Sequence, residues 1–351
     1  MYTIREGDYT EDLRMKRNYA FEAGGLFLLG LVVPQVIMPF FYSLGLQDPM
    51  LSQVLFQGLT VLPCVLYLVI QRKPLRESVG LLPLKAKQWL LLLPIAICIN
   101  TITEWVNVAS QLFADNQIGV SIFELINEYS FPVAFFVFAI VPAVIEELIF
   151  RGAVYQCYRR YSVRTAVLLT AFLFGIMHMN LNQCSYAIVI GFLFALVNEI
   201  AGSILPSMVM HLYINGSSVV LGAFSLRYLK GLREQYVEAE LAGNTLEMEE
   251  LLEAAQGVPI SSADWLEQYL AAEPESMGEM LLSLTPGFLV AAVVLFFLLR
   301  YYAKLSGRTE HMKNIFRRRK DTVGPRTSVF SVPLLLGCLL CFVVILAELV
   351  L

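Results

Sequence analysis

Charge is scarce in this chain. Only 15% of its 351 residues are Asp, Glu, Lys or Arg, where a soluble domain carries about 25%. That scarcity excludes an ordinary soluble enzyme, and it excludes a disordered chain, which stays solvated through its charge. No sign dominates either. Lys and Arg number 25 against 29 Asp and Glu, a net charge of −4. Without a global positive field, no nucleic-acid partner is expected. Histidine is rarer still, with three in the whole chain. The six cysteines form no disulfide framework. Cys64, Cys98, Cys338 and Cys341 lie in apolar runs, and the Cys338/Cys341 pair reads as small apolar helix residues. The first apolar run, from near Ala20, is too long for a signal-peptide core and lacks a small-residue cleavage site.

Apolar residues are what the chain has in excess: 57% of the total, with a mean hydropathy of +0.65. Long unbroken runs point to an all-α, polytopic transmembrane helical bundle. A membrane barrel would show alternating segments of about ten residues. A span takes about 20 apolar residues. Candidates lie at 22–45, 51–70, 88–113, 131–157, 163–179, 184–201, 204–225, 284–303 and 329–350. About nine spans are expected, with eight as the lower count.

The basic residues set an orientation. Arg5, Arg14, Lys16 and Arg17 precede span one. Arg72, Lys73, Arg76, Lys85 and Lys87 separate spans two and three, and Arg159, Arg160 and Arg164 separate spans four and five. Nine more, Arg300 through Arg326, lie around the loop before the last span. With the amino terminus cytoplasmic, these clusters place 21 of the 25 basic residues on the cytoplasmic side. Three regions follow. Residues 1–225 form a membrane bundle with a catalytic core at about 131–222. Residues 226–282, with twelve acidic and three basic residues, form an acidic extracytoplasmic insertion with helical stretches at Leu246–Ala255 and Trp265–Leu270. Residues 283–351 hold two spans and a basic cytoplasmic loop, with Arg317–Lys320 as a topology anchor and His311 as a solvated loop residue.

Ionisable groups inside a membrane are costly, so each is a functional candidate. Glu146 and Glu147 are adjacent in an apolar run, and Arg151 follows Glu147 by four residues. Glu147 and Arg151 share a helical face in the favourable order and neutralise each other. Glu146 points about 100° away and is left unpaired. His178 follows Phe174 by four residues, and Asn215 follows His211 by four. A turn near Tyr161–Ser162 puts Glu146 and His178 each about 22–24 Å along antiparallel helices, so they can meet at one depth. His211 and Asn215 count out nearer the cytoplasmic face. Access for a substrate is therefore expected from the cytoplasmic or lateral side, not through 226–282.

A carboxylate and an imidazole in a dry cavity can hold and deprotonate water. A second imidazole and a carboxamide can donate to an oxyanion. Together they describe amide-bond hydrolysis. Cys184 and Ser185 have no evident base and orienter. A metal is the alternative arrangement, since Glu146, His178 and His211 are acceptable zinc ligands. The metal-free form is favoured because Asn215 suits an oxyanion better than a metal, so no cofactor is favoured.

Glu-Glu-Leu-Ile-Phe-Arg-Gly at 146–152, Phe-x-x-x-His at 174–178 and His-x-x-x-Asn at 211–215 resemble the three motifs of the CPBP family. That family comprises CAAX-processing type II prenyl endopeptidases and bacteriocin-processing enzymes, often labelled intramembrane metalloproteases. The resemblance covers about 131–222. It implies a membrane-embedded endopeptidase in which Glu146 and His178 activate water. His211 and Asn215 would stabilise the oxyanion, with Glu147 and Arg151 supporting. It further implies a membrane-associated peptide or protein substrate, lipidated or not, and a bacterial cytoplasmic membrane as location. Two other readings use the same groups: an ion- or proton-coupled transporter, and a non-catalytic membrane protein that binds peptides or confers immunity.

Overall fold

A bilayer core offers no water to backbone N–H and C=O groups, so a long apolar run satisfies them internally as a helix. The structure, a computed structural model, describes residues 18–72, 75–114, 125–246, 248, 250–251, 277–315 and 328–350. Each expected apolar stretch coincides with a helix. These are α1 (Tyr19–Ser43), α2 (Pro49–Ile70), α3 (Ala86–Ser110), α4 (Phe131–Arg159), α5 (Val163–Ile176), α6 (Leu181–Ala201), α7 (Leu205–Ala242), α8 (Met277–Leu305) and α9 (Val332–Val350). Seven of them are long and apolar enough to cross a membrane; α5 and Val332–Glu348 of α9 are shorter apolar helices. Among the described residues there is no strand.

Local chemistry sets the helix ends. Asn18, Asp48, Ser162 and Asn180 each accept a backbone N–H of the helix that follows, from Phe21, Leu51, Thr165 and Gln183. Asp48 also accepts from the Tyr129 hydroxyl at 2.6 Å. The Tyr129 hydroxyl holds the Asp48 carboxyl below its ordinary range, and the same bond pushes the phenol up to about 12. This contact thus stabilises the fold across neutral pH. It is lost as pH falls through the depressed Asp48 value, or rises through the Tyr129 value.

Two helices depart from the expected lengths. The apolar run expected at 163–179 stops being helical after Ile176, and α6 starts at Leu181, so His178 sits in a turn. α7 runs through residue 225 without a break and ends at Ala242. Residues 226–242 hold no proline and are rich in Leu, Glu, Arg and Ala, which favour helix. Gly243, at φ +69, ends it, with the Asn244 N–H bonded to the Ala239 carbonyl at 2.9 Å. The start of the expected acidic insertion is therefore an extension of a membrane helix. Trp265–Leu270, Arg317–Lys320 and the four basic residues before span one lie outside the described residues.

The basic connections share one end of the bundle. Gln88 bonds Ser306, Ser203 bonds the Leu82 carbonyl, and the Ile204 N–H bonds the Gly80 carbonyl. Ser331 bonds the Ala20 carbonyl, and the Tyr161 hydroxyl accepts the Ala20 N–H. At this end Glu199, fully buried on α6, gathers donors from the end of α4 and from the segment between α8 and α9. It accepts from Arg159, from Tyr155 at 2.9 Å and from His311 at 2.6 Å, with Arg308 at 3.7 Å. His311 is therefore a hydrogen-bond partner of Glu199 and not a freely solvated residue. The helix Thr309–Asn314 carries it back onto the bundle, which the sequence of a polar loop does not announce. Glu199→Ala should lower stability in detergent by about 3–5 kcal/mol, because it deprives Arg159 of a buried carboxylate. Thermal unfolding of the purified variant measures this, and an unchanged midpoint would refute the role given to Glu199.

Candidate active site

The site is built on α4, α5, α6 and α7, where close backbone approach comes first. Gly175 on α5 and Gly191 on α6 face the opposite helix. A Cβ on Gly175 would lie 2.3 Å from Ile188, and one on Gly191 would lie 2.9 Å from the Ala171 Cα. Only glycine lets the two helices pack this closely. α4 is not a regular α-helix. It widens into π-helix over Phe136–Ile140 and Leu148–Val154, flanking the α-helical Val141–Glu147. π segments often mark functional positions in helices, and these bracket Glu146 and Glu147.

The two acids behave as their positions require. Glu147 is fully buried and pairs with Arg151 at 2.9 Å. The same oxygen, Oε1, accepts from His211 Nδ1 at 3.0 Å. Arg151 lies over the Phe174 ring at 4.3 Å, and its second nitrogen reaches the Gly191 carbonyl at 3.4 Å. Phe174 presents T-shaped contacts to both His178 and His211, with ring centroids at 5.2 and 6.1 Å. It thus holds both imidazoles. Glu146 points away from this pair and lines a cavity, with His211 Nε2 at 3.9 Å.

The hydrogen bonds fix which ring nitrogens are free. His178 Nδ1 is 2.7 Å from the Phe174 carbonyl. A carbonyl only accepts, so Nδ1 carries the proton and the neutral ring leaves Nε2 as an acceptor. His211 Nδ1 donates to the Glu147 carboxylate, which leaves its Nε2 towards Glu146. Asn215 donates one Nδ2 hydrogen to the Phe138 carbonyl at 3.1 Å. That fixes the carboxamide and leaves its second N–H.

The turn that carries His178 is held from both sides. Met179 adopts φ +54, a left-handed conformation that costs a non-glycine residue about 1 kcal/mol or more. Asn180 caps α6, and Glu348 from α9 bonds both the Asn180 carboxamide and the Leu181 N–H.

Glu146, His178, His211 and Asn215 all line one cavity of about 640 Å³. The four polar residues singled out in the sequence are thus brought together, and Glu147 and Arg151 lie directly behind them. Ser185 instead donates to the Leu181 carbonyl within its own helix. The cavity lies in the half of the bundle away from the basic end, between the start of α2 and α4 and the finish of α3 and α5. The depth count along α7 put His211 and Asn215 nearer the basic end, whereas the cavity they line extends into the other half. It did not reveal that α1, α2 and α3 wall the space on its far side, so approach from the basic end does not follow from the cavity's position.

Other groups were passed over in the sequence. Glu104 of α3 lies inside an apolar run and lines the cavity, and Glu199 and Glu348 sit in later runs. The signal was the same one that marked Glu146: an acid within a membrane segment. Among the described residues, no three His, Cys, Asp or Glu side chains come together with the geometry of a metal site.

The comparisons with known proteins agree with the motifs. A family model described as "Type II CAAX prenyl endopeptidase Rce1-like" matches residues 128–217. This stretch of the chain is Rce1-like. It runs from just before α4 to the middle of α7 and holds all four cavity-lining residues and the Glu147–Arg151 pair. No curated protein and no solved structure matches the chain. The Rce1-like segment and the long apolar helices together support an integral membrane peptidase of the CAAX type in general.

Glu147→Gln should destabilise the protein, since it removes the charge that compensates Arg151 and leaves only a neutral, weaker acceptor for His211. A buried pair broken from one side costs about 3–5 kcal/mol. Unfolding in detergent should show the loss, and a variant as stable as the wild type would refute this pairing.

Proposed function

We propose that this protein is an intramembrane endopeptidase that hydrolyses a peptide bond with water held between Glu146 and His178. The observation that carries the reading is the convergence of Glu146, His178, His211 and Asn215 on one cavity inside the Rce1-like segment.

In this mechanism water donates one hydrogen bond to Glu146 and one to His178 Nε2. Glu146 takes a proton as the oxygen attacks the peptide carbonyl. The resulting oxyanion accepts from the second Asn215 N–H and from His211 Nε2. That nitrogen donates when the ring carries both protons. Glu146 then hands its proton to the amine as the C–N bond breaks, giving a carboxylic acid and an amine. The substrate is a membrane-associated peptide or protein. With the basic end cytoplasmic by the positive-inside rule, the amino terminus is inside, in a bacterial cytoplasmic membrane. The cavity then lies in the outer half of the bundle.

Glu146→Gln keeps the volume and removes the base. It should lower turnover by about 10²–10⁴-fold, with folding and insertion retained. Asn215→Ala should lower turnover by about 10²–10³-fold, as loss of an oxyanion donor does. Near-wild-type turnover in a purified, folded Glu146→Gln protein would overturn the assignment. Chelation offers an independent measurement. The metal-free form predicts full activity after a tight chelator and less than one zinc per chain. Activity that falls with the metal and returns with zinc would replace this mechanism by a metal-assisted one.

A further inference from the structure

A second part of the cavity wall comes almost entirely from outside the Rce1-like segment, and its chemistry is unusual for a membrane interior. Gln35 of α1, Gln53 and Gln57 of α2, and Asn100 of α3 all line it, joined by Gln183 of α6. None of these five carboxamides makes a side-chain hydrogen bond to another described residue. Gln57 is the clearest case. It is only 8% exposed, and its Oε1 is buried without a partner. A buried amide left unpaired costs about 1–3 kcal/mol, so Gln57, the one of the five that is buried, implies a ligand that pairs with it, and the other four carboxamides line the same space. Each carboxamide offers donors and an acceptor together, which is what a peptide main chain requires.

The charge on this wall is one-sided. Glu104 of α3 lines the same cavity and accepts from the Asn107 carboxamide at 3.4 Å. Among the described residues no Lys or Arg lines the cavity. Glu104, Glu146 and Tyr186 line the same cavity, so the two acids border one space. Glu146 is occupied with water in the mechanism above, whereas Glu104 is free to meet a charge brought in from outside.

We infer that this wall is the substrate-binding subsite, that its carboxamides hold the peptide main chain, and that Glu104 selects a Lys or Arg side chain on the substrate. The inference rests on the endopeptidase reading for what happens after binding, but the binding itself does not depend on catalysis.

The test uses the full-length protein in detergent with a series of fluorescent apolar decapeptides carrying Lys, Gln or Glu at each position in turn. Binding is measured on the Glu146→Gln background, where no cleavage intervenes, and cleavage on the wild type. The Lys peptides of at least one position should bind more tightly than their Gln twins by about tenfold or more, as a desolvated charge pair does. Adding Glu104→Gln should bring that ratio to near one, and Glu104→Lys should reverse it in favour of the Glu peptides. Gln57→Leu should weaken the Lys and Gln twins alike, because the main chain is common to both. A Lys preference that survives Glu104→Gln in a folded protein would overturn the inference, and so would the absence of any Lys preference or of any binding. Charge-selective binding without cleavage by the wild type would instead overturn the endopeptidase reading and leave the subsite standing.

Discussion

A carboxylate set among apolar helices has to be neutralised by whatever packs around it, and Glu147 shows how far that requirement reaches. Its Oε1 receives Arg151 from one turn along the same helix and His211 from α7. Arg151 in turn covers the Phe174 ring and reaches Gly191 on α6. One buried charge therefore ties four helices together, and each helix carries a residue of the site. Phe174 sets the distance between the two imidazoles, and the Glu147 oxygen sets the ring orientation of His211. A change at Glu147 would thus act on the active-site geometry through stability as well as directly.

The neighbouring acid has the opposite character. Glu146 is one residue away, yet it makes no ion pair with Arg151 and faces a cavity. Both facts follow from helix geometry, since adjacent side chains diverge by about 100°. The wider π-helical turns on either side of Val141–Glu147 alter the face that each flanking residue presents. A single motif thereby supplies one carboxylate to hold the bundle and one to face the cavity.

Much of this was legible in the sequence because burial of charge in a membrane is expensive and periodicity is strict. The apolar runs marked the helices, and the four-residue spacings put Glu147 with Arg151 and His211 near Asn215. The turn near Tyr161–Ser162, confirmed between α4 and α5, brought Glu146 and His178 to one cavity. The misses have physical reasons. Nothing in a run of Leu, Glu and Arg after residue 225 stops a helix, so composition alone could not separate an insertion from an extension of α7. His311 looked solvated because its partner, Glu199, lies 112 residues earlier. The π-helical turns leave no mark in a hydropathy pattern. Glu104 was readable by the same rule as Glu146, but it stands alone without a second polar residue at a telling spacing.

The cavity therefore has two walls of different origin. The wall with Glu146, His178, His211 and Asn215 lies within residues 128–217 and matches a known family. The wall with Gln35, Gln53, Gln57, Asn100 and Glu104 belongs to α1, α2 and α3, ahead of that segment. Geometry constrains the first tightly, because a misplaced water or oxyanion donor forfeits rate. It constrains the second only through the ligand that the wall must fit. A bundle divided in this way can keep one chemistry while its leading helices change what is held against it, and the unpaired carboxamides are where this chain has made that choice.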